Sequence, residues 1–534
     1  MTAQVLEDNQ TVDMTKWLKM VERLRCSPDW AEDERPVEVI QTHISMVLFG
    51  GRRALKLKKP VDFGFLDYTT PEKRLWACEA EVALNRRLCA DTYLGVQPIA
   101  EADGELHLTN EGRVIDYAVL MKRLPAEKML DQMVLDNTVT ETVIDRIAEK
   151  LARFHKLARR GADVNDYGSS DTIRRNWEEN FVQTAPFVNR TITQKAFGVI
   201  RAFVTSWLEQ NTQLLKLRVA EERICDGHGD LRSESICVTN GICFFDCIEF
   251  NERFRCGDVA SEVAFLAMDL DARGCPDLSY YFCERYATIS ADFQIYKLLP
   301  FYRCYRAFVR GKVLSFRLDE PGFSSAELEN ARARAENFFD LAARYAEPLL
   351  QPTVIVVAGL SGTGKTSVAR AVAAEFGLRV VSADAVRKTI FGDTQNFGYG
   401  EGAYSAENNQ LTYQKMIEQG RALFLEDGGV VLDATFRRVK DREQAHSLAE
   451  SVGARWRIIE CRLAPDLIRQ RLEQRGTRKE GFSDATWETY LEQLGEFEMI
   501  ESALGESHLV LDTGNCLRDV NRNAEHWLRK SDEP

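Results

Sequence analysis

Hydrophobic positions fall into two regimes along the chain. From Thr353 onward, short apolar runs rich in β-formers alternate with longer amphipathic stretches. The runs are Thr353–Ala358, Arg379–Ser382, Val430–Leu432, Arg457–Cys461 and His508–Leu511. The stretches between them include Ser367–Glu375, Asn408–Glu426, Arg442–Val452 and Thr486–Glu501. Buried strands alternating with helices predict an α/β unit, a five-stranded parallel sheet with helices on both faces. Upstream the pattern differs. Ile44–Phe49 and Arg53–Lys58 are β-like runs parted by Gly50-Gly51, which predicts a hairpin. Thr70 is placed to cap, and Pro71 to open, a helix reaching about Leu88. Tyr117–Met121 reads as a further strand, and Glu141–Arg160 and most of Thr172–Leu217 as helix. A small β-rich lobe followed by a larger helical lobe is an α+β unit.

The seam between the regimes is Tyr345-Ala-Glu-Pro-Leu-Leu-Gln-Pro352, after a long charged helix from about Ser325 to Tyr345. Two prolines disfavour continuing that helix. The expected organisation is an N-terminal extension over 1–36, a two-lobed domain over 37–348 and an α/β domain over 353–534. Three units suit a chain of 534 residues.

Composition narrows the function classes. Hydrophobic residues at 45% and charged residues at 28% exclude a largely disordered or low-complexity chain. No apolar run approaches the roughly 20 residues of a membrane span. The first 30 residues are polar and acidic and lack the layout of a signal peptide. A cytoplasmic location is expected, and with it 13 reduced cysteines. No pair has C-x-x-C spacing, and Cys243 and Cys247 have no His at ligand spacing, so a zinc site is not expected. A net charge of −13 argues against a general nucleic-acid binder but leaves room for a small basic groove.

The strongest chemical signal is Gly359-Leu360-Ser361-Gly362-Thr363-Gly364-Lys365-Thr366, between the run VIVVA and the helical SVARAVAAEF. It fits G-x-x-x-x-G-K-[ST]. Glycines let successive N–H groups turn inward around phosphate oxygens, and the following helix adds its positive end. Lys365 neutralises the β- and γ-phosphates of ATP, and the Thr366 hydroxyl binds Mg²⁺. Asp384 and Arg387 follow the second strand. Asp384 is placed to take a proton from an attacking hydroxyl, with Arg387 steadying the transferring group; the plainer reading makes Asp384 a helix cap. Asp433 ends the third strand of Val430-Val-Leu-Asp-Ala-Thr, as a Mg²⁺-holding carboxylate or as a turn residue. Arg469, Arg471, Arg475 and Arg478 crowd the end of one helix. Arg475 and Arg478 fall in the expected loop; they read as a solvated basic face or, by resemblance to small P-loop kinases, as residues that close over the nucleotide.

These residues resemble the small P-loop kinases that phosphorylate a hydroxyl: polynucleotide 5′-kinases, gluconate kinase and zeta-toxin-like kinases. The resemblance spans about Thr353 to Leu528. Its D-x-x-R element, Asp384 and Arg387, is shared most closely with polynucleotide kinases.

A second signal is Cys225-Asp-Gly-His-Gly-Asp230-Leu-Arg232-Ser-Glu-Ser235, followed by Cys243-Phe-Phe-Asp246. It resembles the catalytic loop and metal aspartate of the aminoglycoside phosphotransferase family, which shares the protein-kinase plan. The resemblance implies Asp230 as base and Asp246 as metal ligand. It implies Lys56, or Lys58 on the same face, as the phosphate lysine and Glu81 as its ion-pair partner. Ser235 stands where that family has its metal-binding Asn, with Glu234 beside it, and Arg232 stands where it has a second His. The order over the whole chain resembles bacterial fusions of such a domain with a P-loop domain.

The expectation is an ATP- and Mg²⁺-dependent phosphotransferase. Its C-terminal module transfers the γ-phosphate to a hydroxyl acceptor, and its N-terminal module is a weakened second transferase. Two rivals stand: a nucleic-acid 5′-hydroxyl kinase, which the charge disfavours, and an ATP-binding regulator without an acceptor of its own. No membrane partner is expected.

Overall fold

The computed structural model describes residues 3–64, 66–320, 323–347, 351–392, 400–478, 485–500, 502–515 and 517–530. A first helix, α1 (Ala3–Arg25), precedes strands β1 (Glu38–Gln41), β2 (Ser45–Phe49) and β3 (Arg53–Lys58). Helix α2 (Pro71–Cys89) follows, then β4 (Tyr93–Ala102), β5 (Glu105–His107) and β6 (Arg113–Lys122). These strands form one antiparallel sheet in the order β1-β2-β3-β6-β4-β5. Thr70 caps α2 by accepting the Lys73 N–H at 3.3 Å, with Pro71 next. The β2–β3 hairpin forms, but its glycines serve a close approach. Neither has positive φ, and a Cβ on Gly50 would meet the Trp30 ring at 2.8 Å while one on Gly51 would strike the Asp33 carbonyl.

Described side chains ahead of residue 37 pack into this lobe. Trp17, Val21, Leu24 and Trp30 are buried against Leu48, Leu55 and Leu57. Trp17 Nε1 donates to Asp116 Oδ2 at 3.1 Å, and Arg74 Nε donates to the other oxygen at 2.8 Å. A buried carboxylate is thus doubly satisfied, as burial requires.

The helical part begins with α3 (Leu130–Leu135), α4 (Glu141–Leu157), α5 (Ala162–Asn165), α6 (Ser170–Thr184), α7 (Gln194–Gln210) and α8 (Thr212–Ala220). A short insert carries β7 (Ile224–Asp226), β8 (Ile236–Val238), β9 (Ile242–Phe244), α9 (Glu252–Arg255) and β10 (Cys256–Asp258). Helices α10 (Val259–Ala272), α11 (Pro276–Ser290), α12 (Ile295–Phe316) and α13 (Ser325–Ala346) complete it. Aromatic rings fill this core, Trp177 against Phe301 and Phe308, and Phe308 against Phe339.

The C-terminal part runs β11 (Thr353–Ala358), α14 (Lys365–Phe376), β12 (Val380–Ser382), α15 (Ala383–Phe391), α16 (Ala406–Asp427) and β13 (Gly429–Asp433). It continues through α17 (Val439–Ser451), β14 (Arg455–Arg462), α18 (Pro465–Arg478), α19 (Trp487–Gly495), β15 (His508–Asp512) and α20 (Leu517–Arg529). The five strands are all parallel, in the order β12-β13-β11-β14-β15. β11 and β13 are wholly buried, as strands covered on both faces must be.

Four expectations are corrected. Strands β1, β4 and β5 lack the apolar runs that would have marked them. The helix expected to reach Glu501 ends at Gly495. Helix α18 continues through Arg478, so the backbone at Arg475 and Arg478 is helical rather than looped. Not every described cysteine is a free thiol: Cys89, at the end of α2, is paired with Cys243 of β9, their Cα atoms 5.0 Å apart. The two are 154 residues apart in sequence, so only the fold brings them together.

By density of internal contacts the chain forms two compact units. One comprises Met1–Thr138, Arg153–Ser169 and Leu215–Glu262, and the other Val139–Ala152, Ser170–Leu214 and Val263–Pro534. The second unit therefore contains both the helices α11–α13 and the whole parallel sheet. Inside it the Tyr280 hydroxyl accepts the Val380 N–H at 2.8 Å, and Arg303 Nη1 donates to the Ala374 carbonyl at 2.9 Å. Among the described residues no helix is long and apolar enough to cross a membrane.

Candidate active sites

The glycine-rich loop links β11 to α14 at the carboxyl end of the sheet, where open α/β sheets bind ligands. Gly364 has φ +87°, a left-handed conformation at the turn into α14. A Cβ there would also come within 3.3 Å of Arg471 Nη1. Lys365 Nζ folds back to donate to the Leu360 carbonyl at 3.0 Å. The Thr366 hydroxyl donates to Asp433 Oδ2 at 2.9 Å. Asp433 is paired in register with Val357 of β11 and Ser382 of β12, which sets the strand ends level. Burial raises its carboxyl above the usual range, against the pull of Lys365 and Thr366, and the Asp384 charge adds to the rise.

Asp384 lies in the first turn of α15 and is more exposed than Asp433. Its Oδ1 accepts from Arg387 Nη1 at 2.8 Å. Arg387 also donates to Asn409 Oδ1 at 3.0 Å and lies 4.6 Å over the Tyr404 ring. Lys365, Thr366, Asp384, Arg387 and Asp433 thus gather at the carboxyl end of the sheet.

Three further residues shape the loop. Gln493 Oε1 accepts the Ser361 N–H at 3.0 Å. The Thr513 hydroxyl donates to the Thr363 carbonyl at 2.6 Å. Arg471 Nη2 donates to the Thr513 carbonyl at 2.8 Å, which sets Arg471 against the loop. The Arg475 and Arg478 side chains lie outside the described residues. Gln493 and Thr513 carry no sequence signal, because they lie more than a hundred residues beyond the loop they brace.

The upstream site is made of ion pairs. Lys56 Nζ donates to Glu81 Oε1 at 2.9 Å and is also bonded to Asp246. Lys58, wholly buried, is bonded to the other oxygen of Glu81 and to Glu249. The Tyr68 hydroxyl donates to Glu249 Oε1 at 2.7 Å. The surrounding protein would raise the Asp246 carboxyl by desolvation, but the Lys56 ammonium outweighs this and holds it at about 2. Glu262 braces the loop that carries Asp230. Its Oε1 accepts the N–H groups of His228 and Gly229 at 2.7 and 2.8 Å, and its Oε2 is 2.7 Å from His155 Nε2.

Within that loop Arg232 grips Asp230 with two nitrogens, Nε to Oδ1 at 3.1 Å and Nη2 to Oδ2 at 3.0 Å, and bonds Glu234 through Nη1. The Ser235 hydroxyl accepts the Arg232 N–H at 3.0 Å and lies 2.9 Å from the Arg232 carbonyl and 3.2 Å from that of Asp230. The sequence marks Arg232 and Ser235 as departures, but not that each is engaged by the loop's own atoms.

Comparison with known proteins agrees with this layout. The phosphotransferase enzyme family matches residues 69–299, and an AAA domain family matches residues 354–500. These matches and the glycine-rich loop define the class: a kinase-type phosphotransferase domain joined to a P-loop kinase domain, using a nucleoside triphosphate. The chain belongs to the family of uncharacterised protein Rv2004c of Mycobacterium tuberculosis (strain ATCC 25618 / H37Rv). It is 33% identical to that protein over 470 residues, covering 87% of this chain and 90% of the relative. Uncharacterised protein Mb2027c of Mycobacterium bovis matches to the same extent. Among solved structures, a choline/ethanolamine kinase family protein from Mesorhizobium loti aligns over 62% of this chain and 99% of its own, at 13% identity and TM-score 0.35. A gluconokinase from Sinorhizobium meliloti 1021 aligns over 34% and 93%, at 19% identity and TM-score 0.26.

Proposed function

We propose that the C-terminal module transfers the γ-phosphoryl group of ATP to a hydroxyl of a small acceptor. The observation that carries this reading is the Thr366–Asp433 pair at 2.9 Å, level with the strand end that supplies Asp384 and Arg387. A hydroxyl and a carboxylate are hard oxygen donors, few in number, as suits Mg²⁺ sharing its shell with phosphates and water. When bound there, Mg²⁺ would neutralise phosphate charge. The residues of the chain do the rest. Backbone N–H groups of the loop hold the phosphates, and Lys365 follows the charge on the transferring group. Asp384 takes the proton of the acceptor hydroxyl, while Arg387 fixes the orientation of that carboxylate.

In the N-terminal module Lys56, Glu81 and Asp246 hold a second nucleotide, and Asp230 serves a slower transfer. Its slowness is supported by the Arg232 grip on Asp230 and by the Ser235 hydroxyl, which is engaged within its own loop.

The test is a transfer assay with labelled ATP over a library of hydroxyl compounds, run on the wild-type chain and on Lys365→Ala. A labelled product that disappears in the variant supports the reading. Acceptor-independent ATP turnover in the wild type, with no labelled product, would favour an ATP-binding regulator instead.

A further inference from the structure

Helix α14 carries Lys365 and Thr366 on its first turn. The next residues are held by side chains of the helical lobe, within the same compact unit. Glu141, the first residue of α4, forms an ion pair with Arg370 Nη1. The Arg370 guanidinium lies 4.5 Å from the centroid of the Tyr281 ring on α11. Tyr281 is itself fixed. Its hydroxyl donates to Asp145 Oδ1 at 3.1 Å, and Arg285 Nε donates to the same oxygen at 2.6 Å. Near the start of α11, burial raises the Asp277 carboxyl against the pull of its neighbours, Arg370 and Ser367 among them. Ser367 directly follows Thr366, and Arg370 is four residues beyond it, on the same helical face.

The charges follow the contacts. Arg370 acts on Asp433 as well as on Glu141 and Glu284. Glu284, on α11, is exposed in turn to Arg370 and Asp433. The helical lobe thus sets acidic groups around one arginine, whose charge also acts on Asp433.

We propose that this face of the helical lobe is a working part of the P-loop site: α4 and α11 fix the first turns of α14 and, through Arg370, set the charge that the Thr366–Asp433 pair experiences. Arg370 and Glu141 are then positioning residues for nucleotide and cation binding. The proposal rests on the reading of that pair as a Mg²⁺ site.

Electrostatics supplies a test that packing alone would not pass. Glu141→Gln leaves the arginine charge unbalanced, which should weaken Mg²⁺ at Asp433. Arg370→Gln leaves the acidic groups unbalanced, which should strengthen it. The measurement is the affinity of the full chain for a fluorescent ADP with and without Mg²⁺, with Asp246→Asn in every sample to quiet the upstream site. The Mg²⁺-dependent gain should fall about 3- to 10-fold in Glu141→Gln and rise by a similar factor in Arg370→Gln. Tyr281→Phe, which keeps the ring beneath the guanidinium, should leave it unchanged. Shifts in the same direction, or no shift in the isosteric Glu141→Gln, overturn the proposal when Lys365→Ala still loses nucleotide. Unchanged nucleotide binding in Lys365→Ala itself overturns the P-loop reading together with it.

Discussion

The two candidate sites are built from different materials. The C-terminal site is local. Eight consecutive residues form the loop, and one strand-end carboxylate lies 2.9 Å from its threonine. The upstream site is dispersed. Lys56 and Asp246 are 190 residues apart, and Asp230 and Glu81 come from two further segments. The local site presents backbone N–H groups whose direction is fixed by the chain. The dispersed site presents charges that already satisfy one another: Lys56 is held by two carboxylates, and Asp230 by an arginine fork. On the proposed reading a nucleotide meets a preorganised cradle at the first site and must exchange ion pairs at the second, which ranks the first module as the faster.

The largest expected effect tests that ranking directly. Asp384→Asn should retain ATP affinity and lose acceptor phosphorylation by about 10²–10⁴-fold, the usual worth of a general base. If ATP affinity falls while transfer persists, Asp384 belongs to the nucleotide and Asp433 becomes the base. Lys365→Ala should reduce ATP turnover by about 10²–10³-fold, the usual loss of one preorganised charge donor. Turnover that survives this change would reverse the ranking and make the upstream module the main catalyst.

Smaller effects should sharpen the upstream half of the comparison. In the Lys365→Ala background, Ser235→Asn should restore an amide oxygen beside Asp230 and tighten Mg²⁺-dependent ATP binding by about tenfold, the lower range for a change near a metal site. A Mg²⁺ titration of nucleotide affinity reads this. No gain would show that the serine loop is already competent.

The smallest effect concerns pH. Burial would raise the Glu262 carboxyl, but the His155 hydrogen bond, the neighbouring His155 and His228 charges and the Gly229 N–H bring it down to about 2. A depressed carboxyl stabilises the fold above its unfolded value and ceases to as pH falls through the folded value. The Glu262 contribution should therefore fade between about pH 4.5 and pH 2. Urea midpoints across this window should fall less steeply in Glu262→Gln, because that side chain does not titrate. Parallel curves for the two proteins would remove Glu262 from the acid stability of the loop that carries Asp230.

What the sequence disclosed follows the same division. The parallel sheet was legible because β11 and β13 are unbroken apolar runs and each ligand-bearing turn follows its strand directly. Lys365, Thr366, Asp384 and Asp433 could be named because their positions depend on local chain direction. The antiparallel lobe was only half legible. β4 carries a proline and a glycine and pairs with two register shifts, so no apolar alternation announces it. Gln493, Thr513 and the Cys89–Cys243 pair depend on distant segments meeting, which no local pattern encodes. Arg232 stood out as a departure, but its fork on Asp230 is a property of the folded loop. The glycines at 50 and 51 predicted the right hairpin for a different physical reason, room for Trp30 and Asp33 rather than a left-handed turn.

The contacts of Arg303 with the Ala374 carbonyl and of Tyr280 with the Val380 N–H bear on how such a gene can evolve. Fusions often join parts that could be parted again by a new stop and start codon at the linker. Here a break near Pro352 would leave Arg303 facing solvent on one product and the Ala373–Leu378 backbone uncovered on the other. Gly377 makes the same point by shape, since a Cβ there would press on Pro300 at 2.8 Å. Surfaces fitted to one another in this way would make fission of the gene costly to folding. The joined reading frame would then be maintained by folding, whatever the two modules do.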